Sequence, residues 1–128
     1  MEEPDAGGDG PGVPATLHLD YLYDALAHPR RRYLCYLLSR DDEWTLADMA
    51  TAVAAVENDV PESGVTEREY EGVYASLYHA HVPKLVEGGV LTFDPDAEVV
   101  GAGERADRVL AALEAIRERL DPGERSGG

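Results

Sequence analysis

One cysteine, one lysine, one tryptophan and one phenylalanine occur in 128 residues, and each scarcity removes a class of explanation. Cys35 alone can form no intramolecular disulfide and no cysteine-based zinc cage. No apolar run reaches the roughly 18 residues of a membrane helix, and no signal-peptide order of charged, apolar and small residues is present. The expected location is therefore the cytoplasm, with no membrane partner. No Ser-His-Asp order, Gly-rich phosphate loop or paired-carboxylate spacing stands out, so the chain reads as a non-enzyme without a cofactor. Negative charge is what the chain has in abundance. Acids number 26 against 11 bases, a formal charge of -15, yet 44% of the residues are hydrophobic and can build a core. The length suits one domain of roughly 100–150 residues.

Residues 1–16 hold four Gly, three Pro and four acids without apolar periodicity, and are predicted to be a disordered acidic arm. The folded domain is expected over 17–120, with a frayed tail over 121–128. Leu19, Leu22, Tyr23 and Leu26 recur at i, i+3, i+4 and i+7, one stripe of a first helix. Pro29 re-aims the chain and opens a second helix, PRRRYLCYLLSR, with Tyr33, Leu34, Leu37 and Leu38 inward and Cys35 a buried small hydrophobe. Arg40-Asp41-Asp42-Glu43 reads as a solvated turn. Thr45 caps a third helix that Trp44 staples, with Leu46, Met49, Ala50, Val53 and Val56 inward. Thr66-Glu67-Arg68-Glu69 is a capping box opening a longer fourth helix, whose predicted buried stripe is Tyr70, Tyr74, Leu77, Tyr78, His81, Val82 and Leu85. Pro83 should kink its last turn, and Gly88-Gly89 closes it. Two β-prone runs, 90–93 and 98–100, flank Asp94-Pro95-Asp96-Ala97 as a small hairpin. A fifth helix, about 104–120, places Ala106, Val109, Leu110, Leu113, Ile116 and Leu120 on one face.

This order predicts a mainly α fold with a small β-hairpin wing, a winged helix-turn-helix with flanking N- and C-terminal helices. The string LAHPRRRYLCYLL (26–38) resembles the opening of ArsR-like regulators, and HVPKLVEGGVL (81–91) resembles the end of their recognition helix and the entry to the wing. The resemblance covers roughly 17–100 and is closest to small haloarchaeal winged-helix proteins. It implies a transcriptional regulator that binds double-stranded DNA sequence-specifically as a homodimer.

On the fourth helix Arg68, Gly72, Ala75, Ser76 and His79 share the face opposite the tyrosines. Small residues permit close approach to a major groove, and Arg68, Ser76 and His79 offer donors to base edges, with Ala75 among the contacts. Arg30, Arg31 and Arg32 either touch phosphate beside the groove or pair with Asp24, Asp41, Asp42 or acids of another helix. Lys84 is counted with the DNA-facing set. Leu19, Leu22, Val109, Leu110, Leu113, Ile116 and Leu120 form the expected dimer contact. Against DNA stand seven acids and two bases between 57 and 87, together with a carboxylate-bearing wing tip. The alternative is thus a winged-helix protein–protein interaction or dimerisation module that does not bind DNA. His79 and His81 lack the i, i+4 spacing of paired helical metal ligands, and no metal site is expected.

Lys84 is the only lysine, and the acids are spread along the whole chain, a composition that resembles the proteins of salt-in halophilic archaea. In molar salt the Debye length is about 3 Å, so net charge says little about partners there. In dilute buffer such dense acids repel one another and destabilise the compact state. The melting temperature is therefore expected to climb steeply from low to molar KCl in a thermal scan, and a flat profile would contradict the halophilic reading.

Overall fold

Pro29 sets the first joint of the molecule. The computed structural model describes residues 19–120, so the predicted arm (1–16) and tail (121–128) lie outside the described residues. Helix α1 (Asp20–Leu26) ends just ahead of the proline, and α2 (Pro29–Arg40) starts on it. The proline ring pushes His28 into extended geometry (φ -129°, ψ 132°), and the His28 side chain accepts the Arg30 backbone N–H at 3.2 Å as an N-cap. Seven residues are too few for periodicity to define a helix's phase, and α1 differs from expectation. Tyr21 and Ala25 face the core, Leu22 and Leu26 are half-buried, and Tyr23 is 66% exposed. The Arg105 guanidinium lies over the Tyr21 ring, 4.6 Å from its centroid, and holds that side chain inward.

Thr45 caps α3 (Leu46–Asn58) by accepting the Asp48 N–H at 3.0 Å, and Leu46, Met49, Ala50 and Val53 are buried as predicted. Val56 is instead exposed. The loop that closes this last turn bonds back to Ala55, whose carbonyl accepts the Val60 N–H at 3.0 Å, and leaves Val56 outside.

The predicted fourth helix is one run in three parts. Helix α4 (Glu67–Ser76) passes through a widened turn, Leu77–His81, into α5 (Val82–Glu87). In the wide turn the Val82 N–H reaches the Leu77 carbonyl, five residues back. Pro83 sits in the first turn of α5, directly after this widened turn. Val73, Leu77, His81, Val82 and Leu85 are buried, while Tyr70 and Tyr74 lie half-buried on the flank and Tyr78 is exposed, correcting the predicted tyrosine stripe.

Gly89 (φ +79°) ends α5 in left-handed geometry, with Gly89 N–H on the Val86 carbonyl and Val90 N–H on the Leu85 carbonyl. Strands β2 (Leu91–Asp94) and β3 (Val99–Ala102) form the hairpin. A third strand, β1 (Glu43–Thr45), pairs with the other edge of β3, so that Trp44 and Phe93 both oppose the fully buried Val100. This strand occupies the end of the predicted solvated turn; three residues are too short to display alternation. Trp44 also donates its indole N–H to the Leu37 carbonyl at 2.8 Å, tying the sheet to α2. Helix α6 (Ala106–Leu120) packs on α1 and α2 of its own chain. The result is a mainly helical winged helix-turn-helix with a three-stranded antiparallel sheet and flanking helices. No helix among the described residues is long and apolar enough to cross a membrane.

Two glycines separate backbone strain from helix propensity. Gly89→Ala is expected to cost about 1–2 kcal/mol by forcing a Cβ into left-handed geometry. Gly72→Ala, inside α4 with open space around its Cβ, is expected to stabilise by about 0.5–1 kcal/mol. Denaturant unfolding of both variants checks the opposite signs.

Candidate functional site

The outer face of α4 is set by its cap. Thr66 Oγ1 accepts the Glu69 N–H at 3.1 Å while Glu69 Oε1 accepts the Thr66 N–H at 2.9 Å, closing the predicted capping box. Helix α3 covers the inner face, and Arg68, Gly72, Ala75 and His79 lie exposed on the other side with Ser76 half-buried. Arg68 makes no ion pair or side-chain hydrogen bond among the described residues. The predicted stripe is thus brought together as one surface.

The basic run is not part of that surface. Arg30 grips Glu57 of α3 through Nε (2.6 Å) and Nη2 (2.8 Å), and this carboxylate raises the guanidinium pKa above its ordinary value. Arg31 donates through Nη1 to the Asp24 carbonyl (3.0 Å) and through Nε to His81 Nδ1 (3.0 Å). Arg32 donates to the Leu26 carbonyl. The last carbonyls of α1 have no helical partners of their own, and Pro29 brings no N–H to them. The arginines supply those donors, so cations that oppose the α2 dipole sit favourably at the negative end of α1. Arg30, Arg31 and Arg32, predicted as possible phosphate contacts, are here intramolecular clasps, and the pairing alternative is the one observed. Lys84 is likewise engaged, 3.7 Å from Asp24 and 3.5 Å from Glu87.

His81 is the one buried polar or charged residue among those described. Its ring centroid lies 4.3 Å from that of His28, and its Nδ1 is an acceptor, so the imidazole is neutral. Burial above all, with His28, Arg31 and Arg30 nearby, pushes its pKa down to about 4. His79, two residues earlier, is exposed and meets the edge of Tyr78 instead.

Three contributors were not legible in the sequence. The Tyr74 hydroxyl donates to Glu98, which pins the helix to the wing and raises the phenol pKa to about 12. Glu98 itself has a left-handed backbone (φ 54°), and its carbonyl accepts the Leu46 N–H at 2.9 Å. Arg105 spans Tyr21 and the Gly88 carbonyl, joining α6 to α1 and α5. At the wing tip Asp94 Oδ1 accepts the N–H groups of Asp96 (3.0 Å) and Ala97 (3.3 Å), so this carboxylate builds the turn. Burial pushes the Cys35 thiol up to about 12, which leaves it protonated and inert.

The expected dimer contact divides in two. Val109 is fully buried in the chain's own core, a correction to its predicted place at the contact. Leu19, Leu22, Leu110 and Leu113 are half-buried, and Ile116 and Leu120 are 43% and 75% exposed.

The family described as a domain of unknown function (DUF7344) matches residues 23–101, more than half of the chain, and the chain belongs to that family. No curated protein and no solved structure matches it.

The neutral His81 makes stability depend on pH. Its folded pKa, about 4, lies below the roughly 6.5 of an unfolded histidine. Between those values the unfolded chain binds a proton that the native one refuses. Stability is therefore full above about pH 6.5 and falls as pH drops toward 4, by roughly 2–4 kcal/mol from this group. His81→Asn, whose Oδ1 can replace Nδ1 as acceptor for Arg31, is expected to lose that part of the slope in urea titrations at successive pH values.

Proposed function

We propose that the chain is a homodimeric, sequence-specific DNA-binding transcriptional regulator of a halophilic archaeon, similar to ArsR-like winged-helix proteins. Arg68, Ala75 and Ser76 of α4, with His79 of the widened turn, are its reading surface. One observation carries this reading: α3 covers the inner face of α4, while the outer face keeps an unpaired arginine, a histidine and a glycine with open space around it. A major groove admits such a helix, and small residues let its backbone approach the bases. The exposed end of α6, with the half-buried leucines of α1 and α6, supplies a two-fold contact that sets two α4 helices on successive turns of DNA. A second reading, a protein-binding module that does not touch DNA, is favoured by the engagement of Arg30, Arg31, Arg32 and Lys84 within the fold, which leaves few cations for phosphate.

Binding to fragments of the gene's own upstream region in molar KCl separates the two. Arg68→Ala is expected to weaken specific binding by about 1–3 kcal/mol and relax preference at one base position. Arg32→Ala should leave binding unchanged. Ile116→Asp with Leu120→Asp should yield a single-chain mass in light scattering and lose cooperative binding to paired half-sites. Absence of binding to every duplex, or a monomeric parent protein, would overturn this reading.

A further inference from the structure

Between the α4–α5 run and the wing lies a groove of about 660 Å³ whose lining shares only His79 with the proposed DNA contacts. Tyr78 and Val86 form its helix wall, 40% and 39% exposed. Val82 and Pro83 contribute to its lining, and Phe93 and Pro95 form the wing wall. Its volume falls within the ~300–1,000 Å³ range of ligand pockets, but it is open along its length.

The groove is held in shape before anything binds. Tyr78 meets Phe93 edge-on at 6.1 Å and stacks along Tyr74 at 6.3 Å, and Tyr74 is bonded to Glu98 in the turn of the wing. Helix and wing are therefore fixed to each other, and an incoming partner spends little on ordering them. Tyr78 lies in the widened turn with its side chain exposed and so is available to a partner.

Carboxylates border this apolar interior. Glu87 at the end of α5 belongs to the lining, and Asp94 and Asp96 flank the lining residue Pro95 at the wing tip; Lys84 of α5 is already between Asp24 and Glu87. Phosphate is repelled from such a rim, whereas a row of apolar side chains flanked by cations meets both its interior and its edge. We propose that this groove docks a basic amphipathic helix of a protein partner, with aliphatic anchors against Tyr78, Val86 and Phe93 and Lys or Arg against Glu87, Asp94 and Asp96. The site adjoins the proposed DNA contacts and shares His79 with them, but its anchors Tyr78, Val86 and Phe93 are not among those contacts, so it stands whether or not DNA binds.

The test uses the full chain in molar KCl, where diffuse attraction to its acidic surface is screened. Fluorescence anisotropy compares three labelled synthetic peptides: a helix with Leu on one face and Arg on the other, the same composition scrambled, and a Leu/Glu helix of identical spacing. The ordered Leu/Arg helix is expected to bind at least about tenfold more tightly than either control, with Val86→Ser and Glu87→Arg each weakening it about tenfold. Glu87→Arg should also improve the Leu/Glu helix. Chemical-shift changes in the unmodified chain should centre on Phe93 and Val82, a readout independent of how the variants fold. Equal binding by the scrambled peptide, shift changes elsewhere, or parent self-association abolished by Val86→Ser would overturn the proposal, the last by making a second copy the occupant.

Discussion

The hydrogen bond from Arg31 Nε to a neutral His81 sets the relation between the two halves of the molecule. One side is the joint of α1 and α2, where Pro29 turns the chain and leaves carbonyls that need donors. The other is the widened turn from which α5 and the wing depart. Arg31 serves both, because a guanidinium offers several donors in a rigid fork. The arrangement requires an uncharged imidazole, since a second cation about 3 Å from the guanidinium in a buried site would be strongly repelled. Burial against His28 provides that condition. Packing, helix geometry and protonation state are here one constraint.

The same economy explains the charge of the surface. Arginines in the basic run serve helix ends and a carboxylate of α3, Arg105 clamps α6, and Arg117 pairs with Glu114. The α4 face keeps Arg68. Under the proposed DNA reading, affinity then comes chiefly from fit in the groove and base contacts. Counterion release would then contribute little, which accords with the proposed halophilic setting.

The wing depends on a strained residue. Glu98 adopts left-handed geometry that a non-glycine residue enters at a cost, and it is held there by its carbonyl bond to the start of α3 and its side-chain bond from Tyr74. Those contacts fix the hairpin on the helix and create the groove lined by Tyr78 and Phe93. The acidic wing tip owes one of its carboxylates to turn formation, because Asp94 accepts two backbone N–H groups.

Residues that act on their immediate neighbours were legible without coordinates. Thr45 and Thr66 cap their helices, Pro29 begins α2, Gly89 ends α5, and the Asp94–Ala97 turn joins two strands, because each effect spans only a few residues. The exposed stripe from Arg68 to Ser76 was legible for the same reason, helical periodicity being intact over α4. Through the widened turn the expected burial held at Leu77, His81, Val82 and Leu85 and failed at Tyr78, which lies exposed inside that turn. The third strand, the turn of α1 about its axis and the engagement of Arg30 and Arg31 depended on partners 27 to 50 residues away or on elements too short to show a pattern. Local chemistry determined where helices begin and end, and only tertiary packing decided which of their faces and charges remained free to meet another molecule.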